Sequence, residues 1–204
     1  MPTVSFFVEN GFYIIESIGI ASFAVSGIIL ARQKDFDLVG MYIIACVTAF
    51  GGGTLRDLIL DRTPVYWISH SEYPLFILLL ATFFYIFPKI GIKEKWLTIP
   101  DALGIALFTI SSSQIAMEVN LSPTLVAIFA TMSATFGGLI RDVSCHEIPM
   151  VYRKSSLYAS VAFVGSVFYM CLLALNLEMG IASILSIIFT FFLRIIAIYF
   201  NWRL

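Results

Sequence analysis

The stretch Phe50-Gly51-Gly52-Gly53-Thr54-Leu55-Arg56-Asp57 stands inside an apolar run long enough to cross a bilayer. Each glycine lowers helix propensity by roughly 1 kcal/mol relative to alanine, so three in a row predict a break in the helix. An arginine and a carboxylate follow at once, where an ordinary span would meet hydrocarbon. The motif recurs as Phe136-Gly137-Gly138-Leu139-Ile140-Arg141-Asp142. Backbone groups freed inside a bilayer are tolerated only where protein or water satisfies them, so both breaks are expected to line a polar cavity. Close helix packing through small residues is the simpler alternative.

Composition decides the solvent. Of 204 residues, 60% are hydrophobic and 12% charged, whereas soluble domains average about 45–50% apolar and about 25% charged. The chain therefore reads as one all-α, polytopic membrane domain, 1–204, with the lipid bilayer as its main partner. Seven transmembrane helices are predicted, at about 11–31, 38–60, 73–88, 101–117, 122–144, 155–175 and 179–200. Ser122-Pro123 supplies a cap and a first turn for the fifth. A net charge of −1 and the lack of a basic tail give no reason to expect a nucleic-acid partner. A signal peptide is not expected, because Glu9 and Glu16 flank the first apolar run and no basic region precedes it. Cys46, Cys145 and Cys171 are dispersed and read as packing residues. His70 and His146 fall in loops without metal-ligand spacing, so no metal, cofactor or enzymatic constellation is expected.

Basic residues set the orientation. Arg32, Lys34, Lys89, Lys93, Lys95, Arg153, Lys154 and Arg203 share one side in a seven-span chain, while the opposite loops hold only Arg62. The positive-inside rule puts the C-terminus in the cytoplasm and the N-terminus outside. Arg194, close to the end of the seventh helix, is expected to snorkel to the cytoplasmic interface.

A shift of 85 residues lays 16–67 on 101–152 without a gap, with 14 identities in 52 positions, among them Gly19/Gly104, Phe23/Phe108, Ser26/Ser111, Arg56/Arg141 and Asp57/Asp142. Glu16 falls on Asp101. Repeat one covers about 11–91 and repeat two about 99–175, with the helix at 179–200 outside both. Three spans is an odd number, so the second copy must be inverted. Inverted repeats with helices interrupted at matching places mark a substrate or ion path at the repeat interface.

Glu16 and Arg56 fall at similar depth near one mouth, Asp101 and Arg141 near the other. Charges at a helix centre in the membrane cost about 2.5–3.5 kcal/mol each and usually find partners or water. Two ion pairs are predicted, Glu16 with Arg56 and Asp101 with Arg141. They act either as gates or as ties between helices. Between them, Ser22, Ser26, Thr54, Ser111, Ser112 and Thr135 offer neutral oxygens that can replace the water around a monovalent cation such as K+ or Na+. Hydroxyls in helices also bond back to their own backbone.

The two glycine motifs, with Pro64-Val65-Tyr66-Trp67 after the first and Glu147-Ile148-Pro149 after the second, resemble those of bacterial and archaeal members of the trimeric intracellular cation (TRIC) channel family. Many of these are also labelled glycine-transporter domain proteins. The resemblance covers nearly the whole chain. It implies an inverted three-plus-three helix repeat plus a seventh helix, a homotrimer, and an hourglass pore inside each protomer bounded by kinked helices 2 and 5. It also implies potassium-permeable, monovalent-cation-selective conduction across a prokaryotic inner membrane. Gly51, Gly52, Gly53, Gly137 and Gly138 would be the hinges, and Arg56, Asp57, Arg141 and Asp142 would lie beside the pore. Animal members carry Lys-Glu-Val near the hinge where this chain has Arg-Asp, so their phosphoinositide site and voltage-sensing features are not carried over. The filter motif of ordinary potassium channels is absent.

The alternative function is secondary transport of a small zwitterion such as glycine. Half-helix N-termini would hold its carboxylate, and Glu16 or Asp101 its amine.

Overall fold

The computed structural model describes residues 2–87, 94–153 and 157–202, and the side chains of 11–87, 96–153 and 157–202. Its helices are α1 (Pro2–Gln33), α2 (Leu38–Ile59), the one-turn α3 (Tyr66–Ser69), α4 (Glu72–Ile86), α5 (Glu94–Glu118), α6 (Pro123–Ser144), α7 (Ala159–Ala174) and α8 (Met179–Tyr199), with a 3-10 turn at Met150–Tyr152. The seven long helices stand where seven spans were predicted. Five are long and apolar enough to cross a membrane, while α4 and α7 are shorter. Helix α5 starts before Pro100 rather than after it. The proline removes one backbone hydrogen bond, which neighbouring helices and local adjustment make tolerable in a membrane helix.

The expected breaks are absent. Helix α2 runs without interruption through Gly51, Gly52 and Gly53, and α6 through Gly137 and Gly138. A propensity loss of roughly 1 kcal/mol per glycine is smaller than the several kcal/mol of each backbone group left unpaired in hydrocarbon, so the helix persists. Ser122 occupies the N-cap of α6 without a side-chain bond, whereas Asp37 caps α2 by accepting from the Gly40 amide at 2.7 Å.

Most of the long helices end in one way. Asp35, Asp61, Asn120, His146 and Asn176 take positive φ, between 52° and 60°, just past α1, α2, α5, α6 and α7. The next amide then reaches back to a carbonyl in the last turn, as Arg62 does to Asp57 and Glu147 to Asp142. This is the left-handed terminator of a Schellman motif, built here on Asp, Asn and His. Asp35/Asn120 and Asp61/His146 obey the 85-residue shift.

Helices α1, α2, α5 and α6 form the centre. Helix α4 lies on α2, α7 on α6, and α8 on α5 and α7. Contacts at the centre are reciprocal. Gly19 abuts Phe108 while Gly104 abuts Phe23, and Gly52 abuts the Ser133 carbonyl while Gly137 abuts that of Thr48. Each pair becomes the other under the 85-residue shift, as a two-fold relation between halves demands. The fold is an inverted three-plus-three repeat plus an extra helix, α8. Large apolar side chains of α8, including Ile184, Ile188 and Phe192, point outward. Of the basic residues from which the orientation is predicted, Lys89, Lys93, Lys154 and Arg203 lie outside the described residues, as does the side chain of Lys95.

Candidate functional site

Two buried clusters bracket the α2–α6 crossing. In the first, Arg56 Nη1 meets Glu16 Oε1 at 2.5 Å and Arg56 Nε meets Asp57 Oδ1 at 2.9 Å. Asp57 Oδ2 accepts from the Tyr66 amide at 2.9 Å. In the second, Arg141 Nη1 meets Asp101 Oδ1 at 2.6 Å, and Arg141 Nε meets Asp142 Oδ1 at 2.9 Å. Asp142 Oδ2 accepts from the Met150 amide at 2.9 Å. All six charged side chains are at most 3% exposed. The arginines lie in the last turns of α2 and α6, where the helix dipole favours a cation. The adjacent aspartate bridges that guanidinium to the loop that follows. Each cluster holds two carboxylates against one guanidinium.

The surroundings differ at the two ends. A cavity of about 280 Å³ reaches Asp142 and is bordered by Gln33, Glu147 and Arg153. At the first cluster, Glu16, Gly53, Arg56, Asp57 and Phe108 enclose only about 10 Å³, about enough for one water. Between the clusters the rings of Phe23 and Phe108 meet at 5.2 Å. At the crossing, Gly52 and Gly137 let backbone approach backbone, and the Ser133 hydroxyl donates to the Gly52 carbonyl at 3.2 Å.

The hydroxyls divide. Ser26 accepts from Arg141 Nη1 at 2.8 Å, and Ser112 donates to Ser133 at 2.8 Å. Both therefore join the central network. Thr135 and Ser111 are buried and bond back to their own helices. Ser22 instead borders an outer groove with Tyr13 and Phe76, and Thr54 borders another with Leu58 and Phe136.

Arg194 does not snorkel. It is 2% exposed, lies 4.7 Å from the centre of the Tyr158 ring, and donates from Nη1 to the Leu157 carbonyl at 3.2 Å. Ser183, Ser186 and Thr190 are buried on the same face of α8, so that face is polar and turned inward. Tyr158 in turn donates to Asp101 Oδ1 at 3.3 Å. Neither Tyr158 nor the phenylalanine pair was expected at the site. The pair was visible in the sequence, because Phe23/Phe108 and Gly19/Gly104 are identities of the repeat.

A family model described as Glycine transporter matches the chain twice, at residues 13–89 and 98–174. The chain is 34% identical over 194 residues to a UPF0126 membrane protein of Vibrio cholerae, covering 94% of this chain and 80% of the relative. It is 30% identical over 199 residues to the UPF0126 inner membrane protein YadS of Escherichia coli K12, covering 94% and 93%. Among solved structures, the TRIC trimeric intracellular cation channel orthologue from Rhodobacter sphaeroides superposes with a TM-score of 0.87 at 29% identity, covering 94% of this chain and 98% of that one. A second structure, described as a basis for conductance through TRIC cation channels, gives 0.84 at 34% identity, covering 95% of each chain.

Proposed function

Because this chain belongs to the TRIC family of membrane proteins, we propose that it is a monovalent-cation channel with its path inside each protomer, between the Arg56 and Arg141 clusters. The observation that carries this reading is the Glu16–Arg56–Asp57 cluster, buried with one carboxylate in surplus and facing its repeat-related counterpart at Arg141, in a fold that superposes on TRIC cation channels. A negative surplus in a low-dielectric wall attracts cations and repels anions. Ser26, Ser112 and Ser133 supply neutral oxygens between the clusters, which suit K+ and Na+.

In this reading the ring contact of Phe23 with Phe108 closes the path. Opening is assigned to the glycines. Helices α2 and α6 meet at Gly51, Gly52 and Gly137, where backbone approaches backbone, so they can tilt or bend there while the Arg–carboxylate pairs part. The repeats run about 11–91 and 99–175, a division that the doubled family match supports. The protein works as a homotrimer in a prokaryotic inner membrane, N-terminus outside and C-terminus cytoplasmic. No catalysis is assigned to it.

The name of the family model favours a second reading, uptake of glycine. Proteoliposomes loaded with KCl separate the two. Potassium efflux on addition of the purified chain, unaffected by glycine, supports the channel. Saturable glycine accumulation without potassium flux would replace it with the transporter.

A further inference from the structure

Among the described residues seven charged side chains are buried, and six of them form the two clusters. The seventh is Arg194, on the helix that the repeat does not duplicate. Its guanidinium covers the Tyr158 ring, and the Tyr158 hydroxyl holds Asp101. Arg194 is thus joined to the second cluster through a single aromatic ring, and its Nε has no hydrogen-bond partner. The position equivalent to Tyr158 in the first half is Tyr73, 85 residues earlier. Tyr73 shares hydrogen bonds with Ser17 at 2.7 Å and Tyr66 at 3.3 Å, and its ring neighbours are Tyr13, Tyr66 and His70. Among the described residues no arginine is placed over it. Arg62, half-buried beyond α2, makes no ion pair with Glu16 or Asp57 among the described residues. The first cluster keeps two carboxylates against one guanidinium, while the second has two against two.

We propose that Arg194 is the counter-charge of the second cluster, held there by Tyr158, and that it makes the two ends of the path electrostatically unequal. Cations enter more readily at the Glu16–Arg56–Asp57 end, and α8 is the element that sets this preference. The electrical consequence rests on the conduction proposed above; the charge pairing does not.

Two readouts test it. The first is a double-mutant cycle on melting temperature in detergent, with Arg194→Gln, Asp101→Asn and the double variant. A counter-charge predicts coupling, so that each substitution lowers the melting temperature less once the other is present. Additive losses would overturn the pairing, whether or not the chain conducts. The second is current in symmetric KCl. Wild type passes unequal currents in the two directions, and Arg194→Gln raises the smaller by about twofold, the change in cation occupancy that a unit charge roughly 10 Å away produces at water-like dielectric. Arg194→Lys keeps the wild-type ratio. An Arg194→Gln protein that folds and keeps that ratio overturns the electrical role. A wild type that passes no current counts against the channel itself, and the melting cycle then decides the pairing alone.

Discussion

A Cβ built on Gly52 would overlap the Ser133 carbonyl and one on Gly137 the Thr48 carbonyl, whereas one on Gly180 meets nothing within 4 Å. Gly52→Ala and Gly137→Ala are therefore expected to destabilise by about 1–3 kcal/mol, the usual range for overpacking. Gly180→Ala should be neutral or slightly stabilising, since alanine is the better helix former. Unfolding midpoints in detergent compare the three, and equal midpoints would mean that the crossing is loose. The arginines carry a different kind of energy. Arg56→Ala leaves the Glu16 and Asp57 carboxylates buried and uncompensated, a loss of about 3–5 kcal/mol in comparable ion pairs. Replacing Arg56 by Met and Glu16 by Leu together should recover much of it. Failure of that rescue would show that the pair's worth does not lie in mutual neutralisation.

At the level of the helices, the loop after α6 is tied to the turn after α1. Lys34 Nζ meets Glu147 Oε1 at 2.6 Å, and Arg153 Nη2 meets Glu147 Oε2 at 3.0 Å. The hydrogen bond from Lys34 holds the Glu147 carboxyl below its ordinary range, with the charges of Lys34 and Arg153 adding to it. A carboxyl lowered in the folded state contributes stability above its unfolded pKa and loses it as pH falls through the lowered value. Glu147→Gln should therefore reduce the melting temperature slightly at neutral pH and not at all in strong acid. The effect is small, because the group is about one-third exposed and such pairs are worth ~0–1 kcal/mol. A difference that persists in acid would contradict the assignment.

How far the sequence could be read also depends on the element. Apolar runs and the 85-residue shift placed the helices, because both are properties of single segments. The same shift, with an odd number of spans per copy, implied the inversion. The glycines were open to two readings, since a missing Cβ serves a break and a close crossing equally. Only the position of Ser133 and Thr48 on facing helices separates them. Arg194 was misplaced for a related reason. Nearness to a helix end suggested the interface, while its spacing from Ser183, Ser186 and Thr190 put it on a buried polar stripe, a periodic signal that was present. Ser22 and Thr54 border outer grooves, which hydroxyl chemistry alone does not reveal.

For the whole molecule, the architecture ties orientation to function, because an inverted repeat presents one Arg–carboxylate cluster to each side. In a chain stripped of Cys46, Cys145 and Cys171, a cysteine at Arg62 should react with an impermeant maleimide from outside intact cells. One at Lys34 should react only after the membrane is opened. The reverse pattern would invert the topology. The central claim is that the space between the Arg56 and Arg141 clusters conducts monovalent cations, and single-channel recording of the purified chain in a planar bilayer tests it most directly. In a KCl gradient the account requires discrete current steps that reverse near the potassium equilibrium potential, and changed step size in Arg56→Gln and Arg141→Gln proteins that still fold. Current reversing at the chloride potential, or no steps from a folded protein that accumulates glycine, would contradict it.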